Sequence, residues 1–230
     1  MTFLRTLVLS LFSLVVALMG ATVLAVIGAA IYFSPGLPDV RQLQNFELHT
    51  PLRIYTNDGK LIGEFGEERR IVIDFDDIPD NMVNALIAAE DASFFNHAGV
   101  DPRGLARAAV ELVQSGGAIQ SGGSTITMQV ARNYMLTLDQ TFTRKIREIL
   151  LALQMEKVLS KEEIFELYVN KIYLGHRAYG IEAAAQVYYG KSIRDLNLAQ
   201  MAMIAGLPKA PSRYNPLVNP TRAKERRDWI

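Results

Sequence analysis

Between Thr6 and Pro38 the chain carries no charged side chain. Within this run, Leu7–Phe33 exceeds the roughly 20 helical residues needed to cross a hydrocarbon layer of about 30 Å. The apolar stretch of a cleaved signal peptide is shorter, about 7–15 residues, so the run reads as an uncleaved signal anchor. Arg5 precedes it, and Pro35, Pro38 and Asp39 follow it. The positive-inside tendency then places the amino terminus in the cytoplasm and everything beyond residue 40 outside. The chain divides accordingly: 1–38 is a cytoplasmic stub, transmembrane anchor and linker, and 39–230 is one soluble domain.

Composition excludes several classes. Half of the 230 residues are hydrophobic, too many for a disordered chain. Basic and acidic residues balance at 24 each, which gives no support to a nucleic-acid partner. The absence of cysteine removes a disulfide scaffold, a zinc–thiolate site and a cysteine nucleophile.

Beyond the anchor the pattern is briefly β and then helical. Residues 53–55 and 61–65 flank Asp58-Gly59, a turn pair that predicts a β-hairpin. Arg70–Phe75 alternates enough for a third strand. Helices are expected from Asp80 to about Phe94, from Pro102 to Leu112 and from Ser124 to about Met135, the last entered through a Gly/Ser loop at Ser115–Gly123. Further helices are expected over 143–158, from Ser160 (a capping box with Glu163) to near Gly175, and over 180–189 and 196–206. The expected fold class is mainly α, with a small β-hairpin element and one transmembrane helix in front.

Chemistry begins at Glu90. Val83, Leu86, Ile87 and Glu90 share one helical face, so the carboxylate sits on an apolar stripe. Desolvation there raises its pKa and suits it to proton transfer near neutrality. The alternative is a glutamate that borders the core and pairs with a basic neighbour. Asp91 adds a second acid, and Phe94, Phe95 and His97 follow at the helix exit. His97 alone reads as a structural histidine.

Gly122-Gly123-Ser124-Thr125 runs into a helix start, where free backbone N–H groups make an anion site. Alone, such a loop is more often an N-cap and a flexible connector than a phosphate cradle, and Arg132 further on shifts the balance modestly towards a phosphate-bearing substrate. Arg144 and Glu148 are spaced i, i+4, which by itself is a surface ion pair. Glu148 lies opposite an Ile146, Leu150, Leu153 stripe, and no local feature predicts its burial.

In this order the pieces resemble the motifs of peptidoglycan glycosyltransferases, glycosyltransferase family fifty-one. Glu90–Gly99 resembles that family's E-D-x-x-F-x-x-H-x-G, Gly123–Gln129 its G-x-S-T-I-T-Q-Q, and Arg144–Glu148 its R-K-x-x-E. Lys161–Asn170, Gly180–Lys191 and Ala205–Ser212 are similar to its remaining blocks. With the anchor in front, the chain resembles the amino-terminal part of a class A penicillin-binding protein.

The resemblance implies a lysozyme-like fold and an inverting enzyme that polymerises lipid II into glycan strands. The donor is glycan linked to undecaprenyl pyrophosphate, and the acceptor is the 4-hydroxyl of lipid II. Glu90 matches the general base, and Glu148 the glutamate that assists departure of the pyrophosphate, directly or through a divalent cation (Mg or Mn). No organic cofactor is implied. Substrate contacts are implied for Asp91, Phe94, His97, Ser124, Thr125, Thr127, Gln129, Arg132, Arg144 and Lys145. The implied partners are the cytoplasmic membrane and proteins of a cell-wall synthesis complex. The implied location is the bacterial inner membrane, single-pass, with the catalytic domain on the periplasmic side. Residues from about Leu105 to Phe142 are expected to dip into the membrane, with Tyr134, Met135 and Leu136 exposed in a connector.

Met128 departs from the family's first glutamine, and Gln140 from a frequent arginine. No S-x-x-K or K-T-G occurs, so no transpeptidase domain is expected here. The chain reads as a fragment of a bifunctional enzyme, with a monofunctional one as the alternative. The rival functions are a glycan-cleaving muramidase and a non-catalytic cell-wall scaffold. Geometry separates the first rival. Glu90 and Glu148 are expected to face one cleft, farther apart than the hydrolase window of about 6.5–9.5 Å. The N–H groups of the Ser124 helix are expected to point between them.

Overall fold

A computed structural model describes residues 2–46, 48, 51–59, 61–66, 68–116, 123–136 and 142–230. Gly122, Gln140 and most of the expected Gly/Ser loop lie outside the described residues. Helix α1 (Thr2–Phe33) contains Leu9–Phe33, long and apolar enough to cross a membrane. Leu11, Phe12, Leu24 and Ile31 are all exposed along it, so the helix lacks an apolar environment of its own. The chain joins the globular part at a 3-10 turn, Val40–Asn45, capped by the Asp39 side chain. Val40 and Leu43 of that turn are buried in the core.

The hairpin forms as expected. Strands β1 (Leu52–Tyr55) and β2 (Leu61–Phe65) pair antiparallel with Leu52 opposite Phe65, and Gly59 supplies the positive φ of the turn. The third strand does not extend as the alternation suggested. Only β3 (Arg69–Arg70) is extended, paired in parallel with β4 (Ala178–Tyr179). Beyond it, side chains take the backbone groups that a ladder would have used. Asn170 accepts from the Ile73 N–H and donates to the Ile73 carbonyl, and Glu166 accepts from the Phe75 N–H.

The rest is helical: α2 (Asp80–Glu90), α3 (Pro102–Gln114), α4 (Ile126–Met135), α5 (Phe142–Met155), α6 (Lys161–Lys171), α7 (Ile181–Tyr189), α8 (Leu198–Ala205) and α9 (Pro220–Trp229). Buried Ile126, Val130 and Ala131 carry α4 into the core, where it packs against both α5 and α6. Helix α2 packs on α8, and α8 on α9. The capping box of Ser160 and Glu163 is present.

Two boundaries differ in ways that matter for the site. Helix α2 stops at Glu90, four residues early, because Asp91 leaves helical geometry (φ −158°, ψ 77°) to bond elsewhere. Tyr134, Met135 and Leu136 are not exposed but packed against the core. The Tyr134 hydroxyl donates to the Leu167 carbonyl at 3.0 Å, and its ring meets Phe46 edge-on at 4.9 Å.

Candidate active site

Glu90 ends α2 on the face that Val83 and Leu86 bury. Burial pushes its carboxyl above the usual glutamate range, opposed by a hydrogen bond from Gln129 and by the charges of Arg226, Lys209 and Arg132. The Gln129 Nε2 donates to Glu90 Oε2 at 3.0 Å. One carboxylate oxygen is thereby fixed by an amide on α4. The Tyr168 hydroxyl is buried close to this pair and finds no hydrogen-bond partner among the described residues. Burial, followed by the negative charge of Glu90, holds its pKa well above that of an ordinary tyrosine.

Asp91 turns away from Glu90. Its Oδ2 accepts from the Ile126 N–H at 3.0 Å, and both of its oxygens meet His97 Nε2 at 3.0–3.1 Å. The start of α4 thus receives a carboxylate from within the protein. The Met128 N–H goes to Thr125 Oγ1, which itself donates to the Gly99 carbonyl at 2.6 Å. These first-turn donors therefore do not point into a cleft for a substrate anion, because Asp91 and Thr125 engage them. Gly99 has a steric reason to be glycine. Its φ is +86°, and a Cβ there would lie 2.6 Å from the Ala152 carbonyl oxygen of α5.

Other candidates join this scaffold. Phe94 is fully buried, with its ring against Phe165 and the Lys161 ammonium 4.4 Å from the ring centroid. The Thr127 hydroxyl, also fully buried, donates to Glu156 Oε1 at 2.7 Å, and Lys161 reaches the same oxygen at 2.6 Å. Asp91, His97, Thr125 and Thr127 make contacts that hold the α2 exit, α4 and α5 together.

The second acid stands on α5. Glu148 is only 1% exposed, contrary to the surface pair its spacing suggested. The buried stripe of α5 is Glu148, Leu151, Ala152 and Met155, whereas Leu153 of the expected stripe is exposed. Lys145 Nζ donates to Glu148 Oε2 at 3.1 Å and to Ser124 Oγ at 2.6 Å. Arg144 Nε lies 3.3 Å from Glu148 Oε1, an ion contact without hydrogen-bond alignment. Ser124 immediately precedes the α4 cap, so one short segment is bonded to Glu90 through Gln129 and linked to Glu148 through Lys145.

The arrangement supplies a desolvated carboxylate at one end and clustered cations at the other, with a buried glutamate ordering those cations. Arg132, in the last turn of α4, adds a charge that Glu90 feels. Sequence reasoning assigned no role to Arg226 or Lys209, the other two charges acting on Glu90. Lys209 lies within the Ala205–Ser212 block, while Arg226 belongs to no motif. Met128 is fully buried. No cluster of three or more His, Asp or Glu residues fit to hold a metal ion occurs among the described residues.

A family model described as Transglycosylase matches residues 58–230. Penicillin-binding protein 1A of Pseudomonas aeruginosa is 65% identical over 215 residues, covering 94% of this chain and 26% of the relative. The Escherichia coli K12 protein of the same name is 54% identical over 199 residues, covering 86% and 23%. The chain spans about a quarter of the length of these curated relatives. A crystal structure of penicillin-binding protein 1A from Haemophilus influenzae aligns at 34% identity and a TM-score of 0.42, covering 80% of this chain and 18% of that one.

Proposed function

This chain belongs to the transglycosylase family, and on that premise we propose that it is a peptidoglycan glycosyltransferase polymerising lipid II at the outer face of the cytoplasmic membrane. The observation that carries the reading is Glu90, a desolvated carboxylate with a raised pKa and one oxygen fixed by Gln129.

In this reading Glu90 takes the proton of the lipid II 4-hydroxyl as that oxygen attacks the anomeric carbon of the lipid-linked donor. A new C–O bond forms with inversion, and the anomeric carbon–phosphate oxygen bond breaks. Its electron pair leaves on undecaprenyl pyrophosphate. Base catalysis of this kind contributes typically about 10²–10⁴-fold. Lys145 and Arg144, held by Glu148, together with Arg132, stabilise the charge that grows on the diphosphate. Ser124 positions Lys145. Gln129 orients the base, and Asp91, Phe94, His97, Thr125 and Thr127 act through the scaffold.

Glu148 Oε1, a buried carboxylate oxygen without a hydrogen bond among the described residues, would be the protein's ligand to a divalent cation, with the rest of the ion's shell left to oxygens from outside the protein. Such an ion, Mg or Mn, would supply further neutralisation of the leaving group when bound. Helix α1 serves as the anchor, with the amino terminus cytoplasmic, residues 1–38 forming stub, span and linker and residues 39–230 the catalytic domain. The test is incubation of the full chain with labelled lipid II in detergent. Long glycan and released undecaprenyl pyrophosphate are expected. Cleavage of preformed glycan without polymer growth contradicts the proposal and points to a muramidase.

A further inference from the structure

We infer that Arg226 is a positioning residue for Glu90: helix α9 lays its buried guanidinium against the last turn of α2 and fixes the backbone from which the base projects. The inference rests on the reading of Glu90 as the base.

Arg226 is only 9% exposed, and its Nη2 donates to the Ala89 carbonyl at 3.3 Å. Ala89 immediately precedes Glu90. Carbonyls in the last turn of a helix have no partner within the helix, and a cation there meets the negative end of the helix dipole. Arg226 does both jobs from an element 137 positions away in sequence.

The approach is built in. Gly206 caps the end of α8, and a Cβ at that glycine would lie 3.0 Å from Arg226 Cγ, so the missing side chain makes room for the arginine stem. On the other side the guanidinium carbon lies 4.3 Å from the Trp229 ring centroid, a cation–π distance. Arg226 Nε is buried without a hydrogen-bond partner among the described residues.

Its nearness also acts on the proton. Arg226 is the foremost of the charges that favour the ionised form of Glu90, with Lys209 from the loop after α8 and Arg132 from α4 behind it. The other groups facing Glu90 are Gln129 of α4 and Tyr168 of α6, with Asp91 next in the chain. None of these reaches the backbone of α2 from α9 as Arg226 does.

The experiment uses the full chain and follows kcat/KM for lipid II against pH. Arg226→Met keeps the stem that packs at Gly206 but deletes the guanidinium. Its acid limb is expected to move up by about one pH unit, about tenfold in rate on that limb, and Arg226→Lys is expected to restore part of the shift. Gly206→Ala keeps the charge but displaces the stem, and should shift the limb in the same direction by less. It also serves if Arg226→Met fails to fold. A lower rate at every pH together with the shift marks a displaced base, whereas parental rates with an unshifted profile in the folded variants overturn the inference. Glu90→Gln run alongside separates the two levels. An active Glu90→Gln removes the base itself, whereas an inactive one with an unshifted Arg226→Met profile overturns only the role of Arg226.

Discussion

Gln129 Nε2 meets Glu90 Oε2 at 3.0 Å, joining α4 to the end of α2 across 39 positions of sequence. The contact gives the base a fixed orientation and opposes the effect of its burial, since a donor to a carboxylate favours the ionised form.

Gln129→Leu removes that donor, so the already raised Glu90 pKa rises further. The acid limb of the rate profile should move to higher pH, with a loss of about tenfold on that limb. This corresponds to one hydrogen bond to a charged group, about 1.5 kcal/mol. Rates on the alkaline plateau should recover. A pH profile of lipid II polymerisation checks it, and equal loss at all pH values would show that Gln129 acts on something other than the proton.

Stability should move opposite to activity at Glu90. The folded-state pKa lies above the ordinary value of 4.5, so between the two values the folded chain binds more protons than the unfolded one. Stability therefore falls as pH rises through that window. Glu90→Gln removes the cost of a desolvated charge and retains an acceptor for Gln129. Its Tm should exceed that of the parent at neutral pH, with the gain vanishing below about pH 4.5. Thermal melts at both pH values decide the matter; a lower Tm at neutral pH would mean that the ionised carboxylate is stabilising where it stands.

Lys145→Met should cost about 10²-fold in kcat, the scale for losing one preorganised group at a developing charge. It should also lower the Tm, because buried Glu148 is left with Arg144 as its ion contact. Single-turnover rates with labelled lipid II provide the readout. Wild-type rates in a folded variant would remove Lys145 from the leaving-group side.

Removing α1 should spare the fold provided that the Val40–Asn45 turn stays. Val40 and Leu43 are core residues, whereas the span itself is unburied. A chain starting at Gly36 should melt cooperatively near the parental Tm yet work poorly on substrate in vesicles. Starting instead after Leu43 should lower the Tm, since two buried apolar side chains are lost. Equal melting of the two truncations would show that the turn contributes nothing to the core.

What the sequence disclosed follows the range of the forces involved. Glu90 on an apolar stripe was legible because helical periodicity is local, and so were the Asp-Gly hairpin and the Ser160–Glu163 box. The spacing around Glu148 misleads because α5 carries two overlapping apolar stripes. Periodicity alone does not say whether Ile146, Leu150 and Leu153 or Leu151, Ala152 and Met155 face inward. The early end of α2 was hidden because the partner of Asp91, the Ile126 N–H, lies 35 positions away. Arg70–Phe75 misled for the same reason, its backbone being satisfied by Asn170 and Glu166 of α6. Arg226 left no local trace at all.

The most direct test of the account is lipid II polymerisation by Glu90→Gln in the full chain, beside the parent and at matched folded concentration. The amide preserves shape and the Gln129 contact but accepts no proton. Glycan is expected from the parent, and a rate lowered by about 10²–10⁴-fold in the variant, with lipid II still bound. Polymerisation by a folded Glu90→Gln at close to the parental rate would contradict it.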